Sequence, residues 1–235
     1  TAVGCFCIGT NQVDLDYAGK HGIAVFNAPY SNTRSVVELV IGDIICLMRR
    51  IPAHTHHMKH GMWDKSASGS HEVRGKTLGI IGFGRIGQSL GVMSRALGMH
   101  VIAYSRTRRP EVEQATGVPY VELDELLAKS DFISLHAPAA DGGPIVTAET
   151  IARMKDGVVI VNTSRGVNVD EDALLAALES GKVRAAGLDV YAEEPTHNHA
   201  LYSHPMVSCT PHIGAATVEA QKRIGSEIVD IIREA

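Results

Sequence analysis

Residues 82–87 read Gly-Phe-Gly-Arg-Ile-Gly, the G-x-G-x-x-G spacing that lets a backbone close on a pyrophosphate. The loop follows the apolar run LGII and opens the stretch RIGQSLGVMSRALG, so strand, tight loop and helix stand in the order this chemistry requires. Gly82 would make the turn, Gly84 would let the backbone approach the phosphates, and Gly87 would let helix pack closely on strand. Arg85 and Ile86 would lie at the helix end, whose N–H groups face the anion. An acid that binds a ribose 2′-hydroxyl is expected about 20 residues on, at the end of the next strand. That place is Ser105 in YSRTRRPE, with Arg106, Arg108 and Arg109 after it. A carboxylate would repel a 2′-phosphate, whereas Ser105 cannot and Arg106 could pair with one. Two readings stand: a site that accepts NADP as well as or in place of NAD, and a solvated basic turn beside a loosely held adenine half.

These residues need a scaffold, and the rest of the sequence supplies one. From Gly75 onward strand-like and helix-like runs alternate: KTLGIIGFG, HVIAYS, DFISLHAP, VVIVNTS, AAGLDVY and MVSCTPHIG are strands, separated by helical patterns such as VELDELLAKS, TAETIARMKDG and DEDALLAALESGK. The strands are Val/Ile-rich without polar alternation, as expected of a parallel sheet covered on both faces. The fold class is therefore α/β, a doubly wound Rossmann-type sheet. Before it, AVGCFCIG, VDLDYAGKHG and IAVFNAP read as a short βαβ unit, too small to bury a core alone. SNTRSVVELVIGDIICLMRRI then reads as a helix with Ser31, Asn32, Thr33 and Ser35 as N-cap candidates, Ser35 and Glu38 being spaced as a capping box; it is ended or kinked at Pro52, and AHTHHMKHGMW reads as a further helical piece. The first helix is apolar almost all round, which places it between layers or at a subunit interface.

With 235 residues, net charge −4 and 20% charged residues, the chain has no electrostatic case for nucleic acid. The longest apolar run, VVELVIGDIICLM, is interrupted by Glu38 and Asp43, so no membrane span is expected, and no signal-peptide pattern is seen. Cys5, Cys7, Cys46 and Cys209 sit in apolar surroundings and read as small buried hydrophobes of a reducing cytoplasm. The chain opens on Thr1 directly in a strand-like run and ends inside a helical pattern, so both ends are expected to be cut.

GFGRIG, NTSRG, GLDVYAEEP and TPHIGAAT, in this order and spacing, resemble the D-isomer-specific 2-hydroxyacid dehydrogenases, and the resemblance runs over essentially the whole chain. The stretch GCFCIGTNQVDLDYAGKHGIAVFNAPYSNTRSVVELVIG, residues 4–42, is most similar to the phosphoglycerate dehydrogenase branch of that family, whereas YSRTRRPE is more like its glyoxylate and hydroxypyruvate reductases. The resemblance implies a dinucleotide domain over 28–212, inserted into a flavodoxin-like substrate domain of which 1–27 and the returning helix 213–235 are fragments. It further implies hydride transfer between NAD or NADP and a small 2-hydroxy or 2-keto acid, in a homodimer. The rivals are an NADPH-dependent reductase and a non-enzymatic, dinucleotide-sensing scaffold of the corepressor kind.

By the same resemblance Arg165, Glu194 and His212 carry the chemistry. Each follows a strand end, where ligands of open α/β sheets bind. A histidine suits the proton of the hydroxyl, a carboxylate steadies the imidazolium, and an arginine fork can hold a substrate carboxylate and polarise the C2 oxygen. Glu193 is the rival of Glu194. Asp189 would face the nicotinamide amide and Thr163 its ribose. Ile86 would pack near the pyrophosphate, and His136 and Pro138 would line the adenine side. Asn27, Ser31 and Arg34 are placed at a hinge, where Arg34 could meet an anionic substrate. His56 and His60, one turn apart, could share a metal, but with no acid cluster nearby they read as a solvated helix face, and no metal is expected. Trp63 reads as a packing anchor near a dimer seam.

Overall fold

In the computed structural model, which describes residues 2–7, 9–10, 12–139 and 142–234, the elements run β1 (Ala2–Cys5), α1 (Leu15–Lys20), β2 (Ala24–Asn27), α2 (Thr33–Met48), α3 (Ile51–Lys59), β3 (Thr77–Ile81), α4 (Arg85–Ala96), β4 (His100–Tyr104), α5 (Pro110–Thr116), α6 (Leu123–Lys129), β5 (Phe132–Leu135), α7 (Ala148–Arg153), β6 (Val158–Asn162), α8 (Glu171–Glu179), β7 (Val183–Leu188), α9 (His199–Tyr202), β8 (Val207–Cys209) and α10 (Val218–Glu234). Ile8, in the first predicted strand, and Ala235, at the end of the last predicted helix, lie outside the described residues. The chain divides into one unit of Thr1–Val36 with Ile213–Ala235 and a second of Val37–His212.

In the first unit β1 and β2 pair in parallel, from Ala2 opposite Ala24 to Cys5 opposite Asn27. Asp14 caps α1 by accepting from the Tyr17 N–H at 2.8 Å. The apolar face of α10 supplies the core, where Ala28, Ala220, Ile224 and Ile228 are buried together.

In the second unit the described residues form a six-stranded, all-parallel sheet in the order β4-β3-β5-β6-β7-β8. Its apolar runs serve two cores at once because strand side chains alternate between faces. Leu78, Ile80, Phe132, Val159 and Val161 point into a core completed by Val40 and Ile44 of α2 and Leu90 of α4. Ile81, Ile133, Leu135, Val158 and Ile160 point into the other, against Leu126 and Leu127 of α6 and Leu174 of α8. The strand order reverses around β3, so the crevice beyond the carboxyl ends of β3 and β5 is the switch point where ligands of such sheets lie.

Several expectations need correction. Ser35 does not cap α2: it is buried inside the helix, with Oγ 2.8 Å from Thr217 Oγ1, while the Val36 N–H bonds to the Asn32 carbonyl and makes Asn32 the boundary. Pro52 opens α3, a place where its missing N–H goes unmissed. Met62 and Trp63 fall beyond α3, after Gly61 turns the chain at φ +74. The helix α5 was not anticipated, because PEVEQAT has no apolar stripe and buries nothing, although Pro110 and Gly117 mark its two ends. The short α9 was also missed; Asn198 caps it. The apolar surface of α2 is buried largely in the core against the sheet, the first of the two places expected for it. Of the cysteines, Cys5 is buried, Cys7 and Cys46 are half-buried, and Cys209 is exposed, against the buried reading; all four are free thiols. Among the described residues no helix is long and apolar enough to cross a membrane.

Candidate active site

The glycine loop has the geometry that its spacing demands. Gly82 stands at φ +96, and a Cβ there would meet the Ala137 nitrogen and the His136 carbonyl carbon at 2.5 Å. Only glycine fits, because both the dihedral and the neighbouring backbone exclude a side chain. A Cβ on Gly87 would lie 2.5 Å from the Gly82 carbonyl oxygen, so the helix sits directly on the loop. Above Gly84, by contrast, a Cβ would meet nothing within 4 Å. That open cradle lies at the N-terminus of α4, which carries no side-chain cap. Open space beside uncapped N–H groups is what a pyrophosphate requires. Arg85 and Ile86 form the first turn of α4.

The Gly82 N–H donates to the Tyr104 carbonyl at 2.9 Å, which brings the end of β4 beside the loop. Ser105 is half-buried there, and Arg106 is exposed without a partner among the described residues. The three arginines separate in role. Arg108 is paired with Glu122 at 2.5 Å, and Arg109 holds the N-cap position of α5. Arg106, next to Ser105, is the one of the three with neither an ion pair nor a capping position among the described residues. His136 follows β5, its Nε2 2.8 Å from Ser134 Oγ. Its Nδ1 is closed off and has no partner among the described residues. Burial pushes its pKa down to about 4, so the ring is neutral at physiological pH. Pro138 is exposed two residues on.

The ends of β6, β7 and β8 lie side by side and present the remaining residues. After β6, Thr163 is half-buried and its Oγ1 is a closed-off, unpartnered hydroxyl among the described residues. Arg165 follows, with Nη1 donating to the Ser164 carbonyl at 2.7 Å. Asn162 braces this turn: Nδ2 donates to the Arg165 carbonyl at 2.9 Å, and Oδ1 accepts from Ser164. Asn168 adds bonds to the Ala137 carbonyl and Ser164 Oγ. Asp189, after β7, is buried and accepts from Thr210 Oγ1 at 2.6 Å.

His212 and Glu194 meet. His212 Nδ1 lies 2.7 Å from Glu194 Oε2, and Glu194 Oε1 accepts from the Tyr191 N–H at 3.1 Å. The carboxylate thus orients the ring through Nδ1, and no hydrogen bond engages Nε2 among the described residues. Glu194, not Glu193, makes this contact. His212 holds a left-handed backbone at φ +55, which is rare outside glycine and raises the energy of the residue by about 1–2 kcal/mol. The pair borders a cavity of about 460 Å³, lined also by Tyr191, Pro195, Tyr202 and Cys209. Burial raises the Tyr191 phenol, and its OH donates to the Leu188 and Thr210 carbonyls at 3.2 and 3.1 Å, tying β7 to β8. Gly166 packs so tightly that a Cβ would fall 1.7 Å from the Tyr191 carbonyl oxygen, which locks the Arg165 turn to the Glu194 loop.

Asn27 closes β2 and Arg34 stands in the first turn of α2; both belong to the first unit, and neither residue is free. In the same unit Ser31 bonds to Glu227. Sequence reading missed Asn162, Asn168, Gly166 and Thr210, which carry no chemistry of their own but hold the reacting groups. A polar residue closing a Val/Ile run, as Asn162 does in VVIVN, was the available signal.

Loop, crevice and strand-end residues together define a Rossmann-type dinucleotide domain bearing an acid–base pair. Residues 41–214 match the family model described as D-isomer specific 2-hydroxyacid dehydrogenase, NAD binding domain, and the chain belongs to that family. It is 47% identical over 233 residues to D-3-phosphoglycerate dehydrogenase of Haemophilus influenzae, covering 97% of this chain and 56% of that protein. D-3-phosphoglycerate dehydrogenase 1 of Saccharomyces cerevisiae is likewise 47% identical, over 96% of this chain and 51% of the yeast protein. The chain thus spans about half the length of these curated relatives. Among solved structures, a glyoxylate reductase from Paecilomyes thermophila superposes with a TM-score of 0.91 at 38% identity, covering 100% of this chain and 72% of that one. A D-lactate dehydrogenase from Aquifex aeolicus, complexed with NAD and lactic acid, gives 0.88 at 33% identity, covering 99% of this chain and 75% of that one.

Proposed function

We propose that this chain is the dinucleotide-binding part of a nicotinamide-dependent D-2-hydroxyacid dehydrogenase whose substrate is 3-phosphoglycerate. The observation that carries the reading is the His212–Glu194 contact at 2.7 Å, made after β8 and β7, the two strands next along the sheet from β6, which presents Arg165. The 47% identity to two phosphoglycerate dehydrogenases supports the choice of substrate. Gly82, Gly84 and Gly87 would hold the pyrophosphate, with Arg85 and Ile86 beside it. Thr163 and Asp189 would hold the nicotinamide half, and Ser105, Arg106, His136 and Pro138 the adenosine half. When bound, the nicotinamide exchanges a hydride with C2 of the substrate.

The chain's own residues do the rest. Nδ1–H of a neutral His212 donates to Glu194, and Nε2 takes the proton of the substrate hydroxyl. The imidazolium so formed stands against the Glu194 carboxylate, which favours its charge. In the reverse direction Nε2 returns that proton to the carbonyl oxygen. Arg165, released from the Ser164 carbonyl, would grip the substrate carboxylate through its planar fork.

A second reading is favoured by one observation. Ser105 and the unpaired charge of Arg106 suit a 2′-phosphate, which points to an NADPH-dependent glyoxylate or hydroxypyruvate reductase, and the 38% identical glyoxylate reductase fits it. Turnover of the intact protein on 3-phosphoglycerate, glyoxylate and hydroxypyruvate, with each dinucleotide, separates the two. Preference for 3-phosphoglycerate with NAD supports the first. Preference for NADPH, lost in Arg106→Ala and weakened by salt, supports the second. Absence of turnover on all three supports the sensing scaffold.

We further propose a homodimer. Ile51, Met58, Met62 and Trp63 are exposed at 44, 54, 48 and 76%, an apolar cluster on one short segment. The cytoplasm is the proposed location, since four free thiols suit a reducing compartment, and cell fractionation tests it.

A further inference from the structure

We propose that His54, His57 and Asp64 form a binding site for a divalent transition metal of the zinc, cobalt and nickel class. Their ligand atoms all lie within 4.8 Å of one another. His54 and His57 are one turn apart on α3, so both project from one face. Asp64 comes from further along the chain. After α3 the Met62 N–H donates to the His57 carbonyl at 2.9 Å, and Gly61 at φ +74 allows the reversal that carries Asp64 back over the helix end.

The carboxylate is already oriented. Asp64 Oδ1 accepts from the Ser66 N–H at 2.8 Å, and Oδ2 is left 3.5 Å from His57 Nδ1. That gap is long for a hydrogen bond, and His57 Nδ1 is closed to solvent with no hydrogen-bond partner among the described residues. It matches a metal better. Two donors at about 2.0–2.1 Å from a tetrahedral ion stand roughly 3.3–3.5 Å apart. A cation between them would satisfy the orphan nitrogen and neutralise the carboxylate. Two imidazoles and one carboxylate suit zinc, cobalt or nickel, whereas magnesium and calcium prefer oxygen ligands throughout. A fourth position remains for water.

The neighbouring pair His56 and His60 gives an internal control. Their rings lie 4.1 Å apart, but His60 Nδ1 is held by the His56 carbonyl at 2.8 Å. The spacing one turn apart drew attention to this pair, and the fold assembles the other set instead.

The test uses tag-free protein, stripped with a chelator and titrated with Co²⁺ and then Zn²⁺. Stoichiometric Co²⁺ should produce the visible absorption of a low-coordinate site, and Zn²⁺ should abolish it. The band should be lost in His54→Ala, His57→Ala and Asp64→Ala, and kept in His56→Ala and His60→Ala. Circular dichroism without metal checks that each variant is folded. Should a variant unfold, ring-proton NMR of the unaltered protein decides: Zn²⁺ should shift His54 and His57 and leave His56 and His60 in place. No band, or a band lost through His56 and His60 but not His57, overturns the site. So does a metal-independent His57 signal that titrates only with Asp64, which would mean an ion pair alone.

Discussion

Replacing Asp43 by asparagine should stabilise the protein at neutral pH while doing little near pH 4. Asp43 sits in α2 with 7% of its surface exposed. Its Oδ1 accepts from Ser208 Oγ at 3.0 Å, and the β7 backbone closes over it so tightly that a Cβ on Gly187 would lie 3.1 Å from its Oδ2. Burial is the main reason that its pKa rises from 3.8 to about 6; the Ser208 hydrogen bond opposes the rise and the charge of Asp189 adds to it. At 1.36 kcal/mol per unit, that rise makes the ionised carboxylate destabilising by about 3 kcal/mol. The sign follows from proton uptake. Between pH 3.8 and about 6 the folded protein holds this proton more tightly than the unfolded chain does, so stability declines as pH rises through that window. The asparagine side chain carries no charge to desolvate and keeps an oxygen for Ser208. Urea unfolding of both proteins at pH 4, 5, 6 and 7 should show curves that nearly meet at the acid end and separate by up to about 3 kcal/mol at the neutral end. Parallel curves, or a less stable variant at pH 7, would refute the reasoning, since either would mean that Asp43 is ionised and well solvated or that its charge is needed.

Glu194→Gln should lower kcat about tenfold or more with KM little changed, because the amide can still accept from His212 Nδ1–H but brings no charge to stand against an imidazolium. An unchanged kcat would mean that Glu194 only supports the loop. Gly166→Ala should prevent stable folding of the second unit, because its Cβ would fall 1.7 Å from a backbone oxygen that no rotamer change can move; a melting temperature within a few degrees of the parent would contradict the packing. If the proposed dimer forms through this segment, Trp63→Lys should leave a monomer in sedimentation where the parent chain dimerises, since Trp63 is 76% exposed in a single chain. Dimers that persist would place the interface elsewhere.

Much of this protein is readable from sequence because the relevant physics is local. A G-x-G-x-x-G loop between an apolar run and a helix dictates a phosphate cradle wherever it occurs, and Val/Ile runs without alternation dictate buried parallel strands. The motifs, through their family resemblance, marked Arg165, Glu194 and His212 as candidates, and the fold brings Glu194 and His212 together. Other features depended on what the fold brings together. The motif favoured Glu194 over Glu193, and the turn of the loop after β7 is what brings the Glu194 carboxylate to His212. That Arg108 is paired with Glu122 and leaves Arg106 exposed depends on a contact 14 residues away in the chain. Asn162, Asn168 and Gly166 matter only because the turns after β5, β6 and β7 meet. Ser35 looked like a cap by spacing, but its partner is Thr217, at the far end of the sequence. Asp64 joins His54 and His57 because Gly61 reverses the chain between them. Spacing records what neighbours along the chain can do, whereas burial, pairing and metal-ligand geometry arise between residues that only the folded backbone makes neighbours.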